Sequence, residues 1–526
     1  MSPPTVIPSP LGPEARKPEF PGLGQKIATG ATWMLLQRLA MRVIGLISTI
    51  ILARLLVPED FGLVALAATL LAVLETVLEL GFDLALIQRQ TTDRSMYDTA
   101  WTLTILRGLL TALLLAAAAF PLANFYNDPR LATVVFWLAL VAVFNGFQNI
   151  GIVEFRIELR FEQEFRMLVW SKVAMFIVTV GLAWLWRDYR ALVAGILTGK
   201  GMLLVLSYTM HSYRPRLSLK GAMPFLHFSK WLFLNNLIIL VRNRLDTFVV
   251  GKLSSPTALG HYAVAYEISN LATTELMYPI ARALFPGFAR MQGDPTRLSD
   301  AFVASLGIMF FIGAPMAVGV GLIAEHIVRL FLGVQWMPVV SLIQVLSLYG
   351  LLSLPAANGQ PIYLAIGRPD LITWRGLPSV IVLPPSLIAG VYYYGPIGAA
   401  WALVFSAAVG LVVHFWLINR QLPVSPGAIF DALWRPALAL LVMSAVVISI
   451  DRAWPDDDAF LRELLQTVCL VTAGALSYFG AIGLCWLAAG RPDGAEKRIL
   501  STIAEWIASR RPAAPPVASE SNPPRV

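Results

Sequence analysis

A chain of 526 residues has the length of about three or four soluble domains, but 57% of its residues are hydrophobic, 14% are charged, and the mean hydropathy is +0.68. Soluble proteins carry roughly 25% charged residues, so this chain cannot cover a water-exposed surface; its solvent is lipid, with room for up to about sixteen helical spans and no large soluble domain. The net charge of +8, from 40 Lys and Arg against 32 Asp and Glu, then reads as membrane topology before it reads as nucleic-acid binding.

Residues 1–24 carry seven prolines within the first 21 positions and no apolar h-region, so a disordered, Pro-rich tail is expected here and not a signal peptide. Apolar runs separated by polar or Pro/Gly breaks then predict an all-α polytopic membrane protein. Its fourteen transmembrane helices lie near 31–56, 61–82, 99–121, 131–152, 168–186, 190–211, 226–252, 259–283, 299–324, 338–364, 371–393, 396–419, 434–452 and 463–489. The narrowest breaks fall at Asp188 and at Gly395-Pro396. The stretch EFRIELRFEQEFR (154–166) mixes charges of both signs with Phe, Ile and Leu, as in an amphipathic helix at the membrane surface or a solvated connector. Cys469 and Cys485, the only cysteines, share the last run, and sixteen residues separate them by about 24 Å, beyond disulfide reach. Residues 491–526 form a second tail.

Basic residues set the orientation. The two tails and the even-numbered connections hold twenty-six Lys and Arg, Lys172 among them; the odd-numbered connections hold eight, and six lie inside spans. Both termini are therefore expected in the cytoplasm.

Shifting the chain by 198 residues exposes an internal repeat. Trp33 falls on Trp231, Leu39 on Leu237, Val43 on Val241, Thr49 on Thr247, Leu55 on Leu253, Pro58 on Pro256, Gly62 on Gly260, Ala65 on Ala263 and Ala67 on Ala265, and Arg54 meets Lys252. Leucine and alanine matches are cheap between apolar helices; Trp, Pro and Gly at one shared offset are not. The first helix and the start of the second thus recur as the seventh and the start of the eighth. An even number of helices separates the copies, so both begin on the same side and an axis along the membrane normal relates them. The chain is expected to form two pseudo-symmetric six-helix lobes (25–212 and 225–420) with an appended helix pair (432–490). The second lobe holds thirteen prolines against three in the first, which predicts bent helices there, as static kinks or as working hinges.

Charges inside spans are expensive and need partners or a cavity. Arg38 and Arg42 share a face of the first helix; Glu75 and Glu79 share one on the second, with Asp83 at its end. Arg242, Arg244 and Asp246 lie on the seventh helix, Glu267 and Glu275 on the eighth, and Lys200 is mid-span in the sixth. Most of these are the repeated helices, which would line a cavity between the lobes. Arg38, Arg42, Lys200, Arg242 and Arg244 suit an anionic, phosphorylated substrate. Glu75, Glu79, Asp83, Asp246, Glu267 and Glu275 suit a coupling H+ or Na+. The same charges also fit pairs within one lobe, Arg38 and Arg42 against Glu75 and Glu79, with no transport role. The five histidines have no ligand spacing, so neither a metal nor a cofactor is expected. GILTGKG (195–201) has the wrong spacing for a phosphate loop, and the DDD at 456–458 reads as a solvated loop.

The stretches LARLLVPEDFGLVALA (52–67) and LELGFDLALIQRQ (78–90) resemble the start of the polysaccharide transporter family. These are the Wzx-type flippases of the multidrug/oligosaccharidyl-lipid/polysaccharide superfamily. ANFYNDPRL (123–131), FRIELRFEQEFR (155–166) and KLSSPTALGHYAVA (252–265) extend the resemblance, which covers about residues 25–490. It implies two six-helix bundles around a central cavity in a bacterial inner-membrane protein. The implied activity is movement of an undecaprenyl-pyrophosphate-linked repeat unit to the periplasmic leaflet, for O-antigen, capsule or exopolysaccharide assembly. Alternating access, ion coupling and a neighbouring polymerase and export machinery are implied with it. The family has no invariant catalytic motif, so the site residues above rest on the charge argument alone. The alternatives are a drug/cation antiporter, whose cavity should be net acidic, and a lipid II flippase of the same superfamily. A polysaccharide polymerase or ligase would need a large external loop with catalytic Arg or His, and a non-transporting scaffold is a further reading.

Overall fold

The computed structural model describes residues 23–79, 81–83, 86, 94–158, 160–220, 244–368, 370–454 and 460–490. Every regular element among them is helical. In chain order the long helices are α1 (Leu23–Leu55), α2 (Pro58–Val77), α3 (Arg94–Tyr126), α4 (Arg130–Phe147), α5 (Phe161–Trp186), α6 (Arg190–Thr209), the 244–253 helix α7, and α8 (Pro256–Ala289). There follow α9 (Pro295–Leu322), α10 (Val339–Ala357, resuming as Gly359–Ala365), α11 (Asp370–Tyr394), α12 (Pro396–Gln421), α13 (Pro426–Ala453) and α14 (Phe460–Ala488). Twelve of these, all except α7 and α8, are long and apolar enough among the described residues to cross a membrane. Most of the seventh predicted span, with Trp231, Leu237, Val241 and Arg242, lies outside the described residues.

Local chemistry explains the starts. Pro58, Pro295, Pro396 and Pro426 open their helices where a missing N–H costs nothing. Asp294 and Ser425 accept from the first free N–H groups of α9 and α13. The two narrow breaks are real turns: Arg187 adopts φ 51° between α5 and α6, and Gly395 adopts φ 63° before Pro396. Prolines lie inside α9 at Pro315, α10 at Pro355 and α11 at Pro378, Pro384 and Pro385, and in the first bundle inside α3 at Pro121.

One boundary is corrected. The 154–166 segment is not one surface helix: Val153–Ile157 forms a separate five-residue helix, and 161–166 are the first turns of α5. Glu162 and Glu164 favour the positive end of that helix, and ion pairs Arg166–Glu162 and Arg156–Glu164 hold the segment in place.

The two halves pack alike. In the first, α3 lies on α4, α4 on α6, α5 on α6, and α2 on both α3 and α4. In the second, α9 lies on α10, α10 on α12, α11 on α12, and α8 on both α9 and α10. The α13–α14 hairpin attaches through α9, and His326 ties it down, with Nδ1 2.8 Å from Glu463 and Nε2 2.8 Å from Asp451. Large apolar side chains such as Leu113, Trp184, Val412 and Leu476 face outward, as lipid contact requires.

The halves meet where the repeat is strongest. A Cβ on Gly62 would lie 1.8 Å from the carbonyl oxygen of Pro256, and one on Gly260 would lie 1.8 Å from that of Pro58. This reciprocal contact between α2 and α8 puts the pseudo-two-fold axis between the two Pro-x3-Gly copies. It lies at the membrane face carrying the odd-numbered connections, hereafter the odd face.

Candidate functional site

Beneath that contact, α1 turns Arg42 and Thr49 toward the second bundle. Arg42 Nη2 donates to the main-chain oxygen of Glu267 at 3.2 Å, and Thr49 Oγ1 donates to Glu267 Oε2 at 3.5 Å. Arg42 lies thirteen residues before the end of α1 and Glu267 eleven after the start of α8. At 1.5 Å per residue both sit about 16–20 Å from the odd face, near the middle of a hydrocarbon core about 30 Å thick. Lys172 of α5 lies within electrostatic range of both. Ser171 Oγ donates to the carbonyl of Gly199 at 2.6 Å, which brings Lys200 of α6 to the depth of Lys172. Among the described residues the buried Nε of Arg42 has no hydrogen-bond partner. A cation with a spare, desolvated donor between two bundles can take an anionic oxygen through a charge-assisted bond. Arg38 stands half-buried one turn nearer the even face.

The carboxylates of α2 are used differently. Glu75 accepts from Asn145 Nδ2, Glu79 pairs with Arg107 at 2.9 Å, and Asp83 faces Arg156 at 3.6 Å. Glu79 and Asp83 line a cavity of about 220 Å³ inside the first bundle, with Thr104, Gln148 and Met167, and Glu75 reaches its edge through Asn145, which also lines it. Pairing within one lobe, the bland alternative, therefore describes Glu75 and Glu79, though their partners come from α3 and α4. It does not describe Arg42, which reaches across to the other bundle.

In the second bundle Asp246 is buried and accepts from Tyr262 Oη at 2.8 Å and from the Thr247 N–H at 2.8 Å, with exposed Arg244 nearby. Tyr262→Phe removes one of the donors to this carboxylate. The expected cost is about 1–3 kcal/mol, read as a lower midpoint of thermal unfolding in detergent. Arg242 and the side chain of Glu275 lie outside the described residues.

At the even face the connector 210–220 is strapped to the first bundle. Asn149 Nδ2 donates to the Tyr213 carbonyl at 2.7 Å, Tyr213 Oη to Asp98 at 2.7 Å, and the Ser218 N–H to Thr102 at 2.9 Å. Burial, and then Asp98, push the Tyr213 phenol above its usual range.

Charge patterning missed two participants. Lys172 counts toward a connection if α5 starts at 168; the early start at Phe161 buries it eleven residues into the helix. Acidic Glu162 and Glu164 followed by an apolar run was the available signal. Asn145 carries no charge, and a search for intramembrane ions passes over it.

Two similarly packed helix bundles, joined at one face over charged residues near mid-membrane, define a multi-pass membrane protein with the fold of transporters of the multidrug/oligosaccharidyl-lipid/polysaccharide type. Solved structures of that type share the fold. The lipid II flippase MurJ in an inward closed conformation superposes with a TM-score of 0.72 at 14% identity, covering 87% of this chain and all of that one. An inward-facing multidrug resistance MATE family transporter gives 0.59 at 14% identity, over 74% of this chain and 98% of that one. Within this type the chain belongs to the polysaccharide biosynthesis protein family, whose model matches residues 51–341. Among its relatives, the lipopolysaccharide biosynthesis protein WzxC of Escherichia coli K12 is 26% identical over 80% of this chain and 87% of its own length. The teichuronic acid biosynthesis protein TuaB of Bacillus subtilis 168 is 22% identical over 87% and 95%. The succinoglycan biosynthesis transport protein ExoT of Rhizobium meliloti 1021 is 24% identical over 79% and 84%.

Proposed function

We propose that this protein is a flippase. It carries a lipid-linked oligosaccharide repeat unit, joined to undecaprenyl through a pyrophosphate, from the cytoplasmic to the periplasmic leaflet of the bacterial inner membrane. The observation that carries this reading is the pairing of Arg42 and Lys172 beside Glu267 near mid-membrane, with Lys200 at similar depth and, among the described residues, no partner for one buried guanidinium nitrogen of Arg42. An anionic headgroup is what such a cluster can hold in place of water; a cationic drug is what it repels. The relatives WzxC, TuaB and ExoT are named for lipopolysaccharide biosynthesis, teichuronic acid biosynthesis and succinoglycan biosynthesis transport.

With both termini and the even connections in the cytoplasm, the contact at the odd face closes the periplasmic side, and the cavity loads from within. Glu267, beside the cations, and Glu75, Glu79 and Asp83 are the carboxylates placed to carry a coupling H+ or Na+. Residues 25–212 and 225–420 act as the moving lobes, residues 432–490 ride on the second, and a polymerase and export machinery take the product. The protein moves its cargo without transforming it.

Deleting the gene tests the reading. Lipid-linked repeat units are expected to accumulate on the cytoplasmic leaflet while surface polysaccharide is lost. Unchanged polysaccharide with altered drug sensitivity would instead place the protein among the drug antiporters.

A further inference from the structure

The repeat matches one charge across 198 residues, Arg54 with Lys252, at the odd-face ends of α1 and α7. Both side chains do the same thing in opposite directions. Arg54, from the first bundle, donates Nε to the carbonyl of Phe331 at 3.1 Å and Nη2 to that of Leu330, at the end of a helical segment of the second bundle. Lys252, from the second bundle, donates Nζ to the carbonyl of Phe125, in the last turn of α3, and stands 3.9 Å from the centre of the Phe125 ring. Last-turn carbonyls have no partner within their own helix, and they carry the negative end of its dipole. Each bundle thus presents a negative helix end to a cation of the other.

We infer that Arg54 and Lys252 are a pair of repeat-encoded latches that hold the odd face shut and must both release when that face opens. Between them lies the Pro58–Gly62 and Pro256–Gly260 contact on the axis. That contact is steric and sets how close the bundles come; the latches supply directional attraction on either side of it. Both cations are exposed at the membrane face, so water can replace the carbonyls when the bundles part, which keeps the latch reversible. The two sides are unequal. Next to Arg54, Gln335 Nε2 and Trp336 Nε1 also donate to the Ala53 carbonyl, at 2.7 and 2.8 Å, whereas Lys252 relies on one carbonyl and one ring. The Lys252 side is therefore the first to open.

The inference rests only on the alternating-access part of the proposed function, and its readout does not involve cargo. Cysteine is introduced at Thr49, beneath the closed contact, with Cys469 and Cys485 replaced by serine. A membrane-impermeant maleimide is applied separately to intact spheroplasts and to inverted vesicles. In the Arg54→Gln/Lys252→Gln variant, labelling from the odd face is expected to rise at least tenfold and labelling from the even face to fall. General loosening would raise both. Each single variant should show a smaller change in the same direction, larger for Arg54→Gln because it removes two donated bonds where Lys252→Gln removes one, while Gln335 and Trp336 stay on Ala53 in both. The exchange Arg54→Lys/Lys252→Arg should label like the parent. Wild-type labelling rates in the double variant, or equal rises from both faces, would overturn the latch. If the double variant fails to accumulate, the singles against the exchange decide in the same way: equal rates overturn it. A loss of polysaccharide export with unchanged labelling counts against the latch, whereas altered labelling in a strain whose export does not depend on this protein counts only against the proposed cargo.

Discussion

Gly62→Ala is expected to cut export at least tenfold and to destabilise the protein, and Gly260→Ala to do the same. The added methyl on Gly62 would lie 1.8 Å from the Pro256 oxygen and 2.9 Å from the Gly260 nitrogen. Neither atom is the end of a flexible side chain, so relief requires α2 and α8 to separate. Overpacking a well-filled contact usually costs about 1–3 kcal/mol; with main chain on the far side the cost falls at or above the top of that range. Separation at this point also draws the carbonyls of Phe331 and Phe125 away from Arg54 and Lys252. The damage is therefore functional as well as energetic. Gly45→Ala and Gly181→Ala are the controls, because a Cβ there meets nothing within 4 Å. On helix propensity alone alanine gains about 1 kcal/mol over glycine, so these two should be neutral or stabilising. Thermal unfolding in detergent and surface polysaccharide would both be measured. If Gly62→Ala behaves like Gly45→Ala, the two bundles do not meet at this axis.

The same pair of glycines shows what sequence can reveal. A close approach of two backbones constrains residue type at both partners, so Pro58/Pro256 and Gly62/Gly260 stand out at one offset before any coordinates exist. Hydropathy places the helices for a similar reason: lipid forces an apolar run of fixed length, and the described helices follow the expected spans within about six residues except at the starts of α1, α5 and α13. Charges obey no such rule. The spacing of Glu75 and Glu79 puts them on one face of α2, but nothing in it says that the face meets Asn145 and Arg107 rather than α1. Asp246 is read as a cavity acid from its position on the seventh helix, yet Tyr262, sixteen residues on and across the turn to α8, buries it. Lys172 is hidden by a helix boundary. Partners are set by rotation about helix axes, and a pattern along one helix leaves that rotation free relative to its neighbours.

Removing Arg42 and Lys172 together is expected to reduce export by at least a hundredfold while leaving the fold intact. Among the described residues Arg42 makes one hydrogen bond, to a main-chain oxygen, and its buried Nε has no partner. Among the described residues no carboxylate is salt-bridged to Arg42, so its loss breaks no ion pair, the usual source of large stability penalties, and half-buried Glu267 keeps the hydrogen bond from Thr49. For an anionic headgroup the position differs. A hydrogen bond to a charged group contributes about 1.5–3 kcal/mol, and each 1.4 kcal/mol is about tenfold in an equilibrium constant, so two such groups reach about a hundredfold or more. Arg42→Lys should keep part of the activity, since it keeps the charge and loses the planar fork. Glu267→Gln should act in the opposite sense on binding, because it removes the negative charge that competes with cargo for the same cations. It should therefore hold cargo more tightly and release it more slowly, so that export falls even though affinity rises. Lipid-linked repeat units on each leaflet and protein abundance by immunoblot separate these outcomes. Normal export by Arg42→Ala/Lys172→Ala at normal abundance would show that the cluster near mid-membrane is structural, and the anionic headgroup would have to be recognised elsewhere in the cavity.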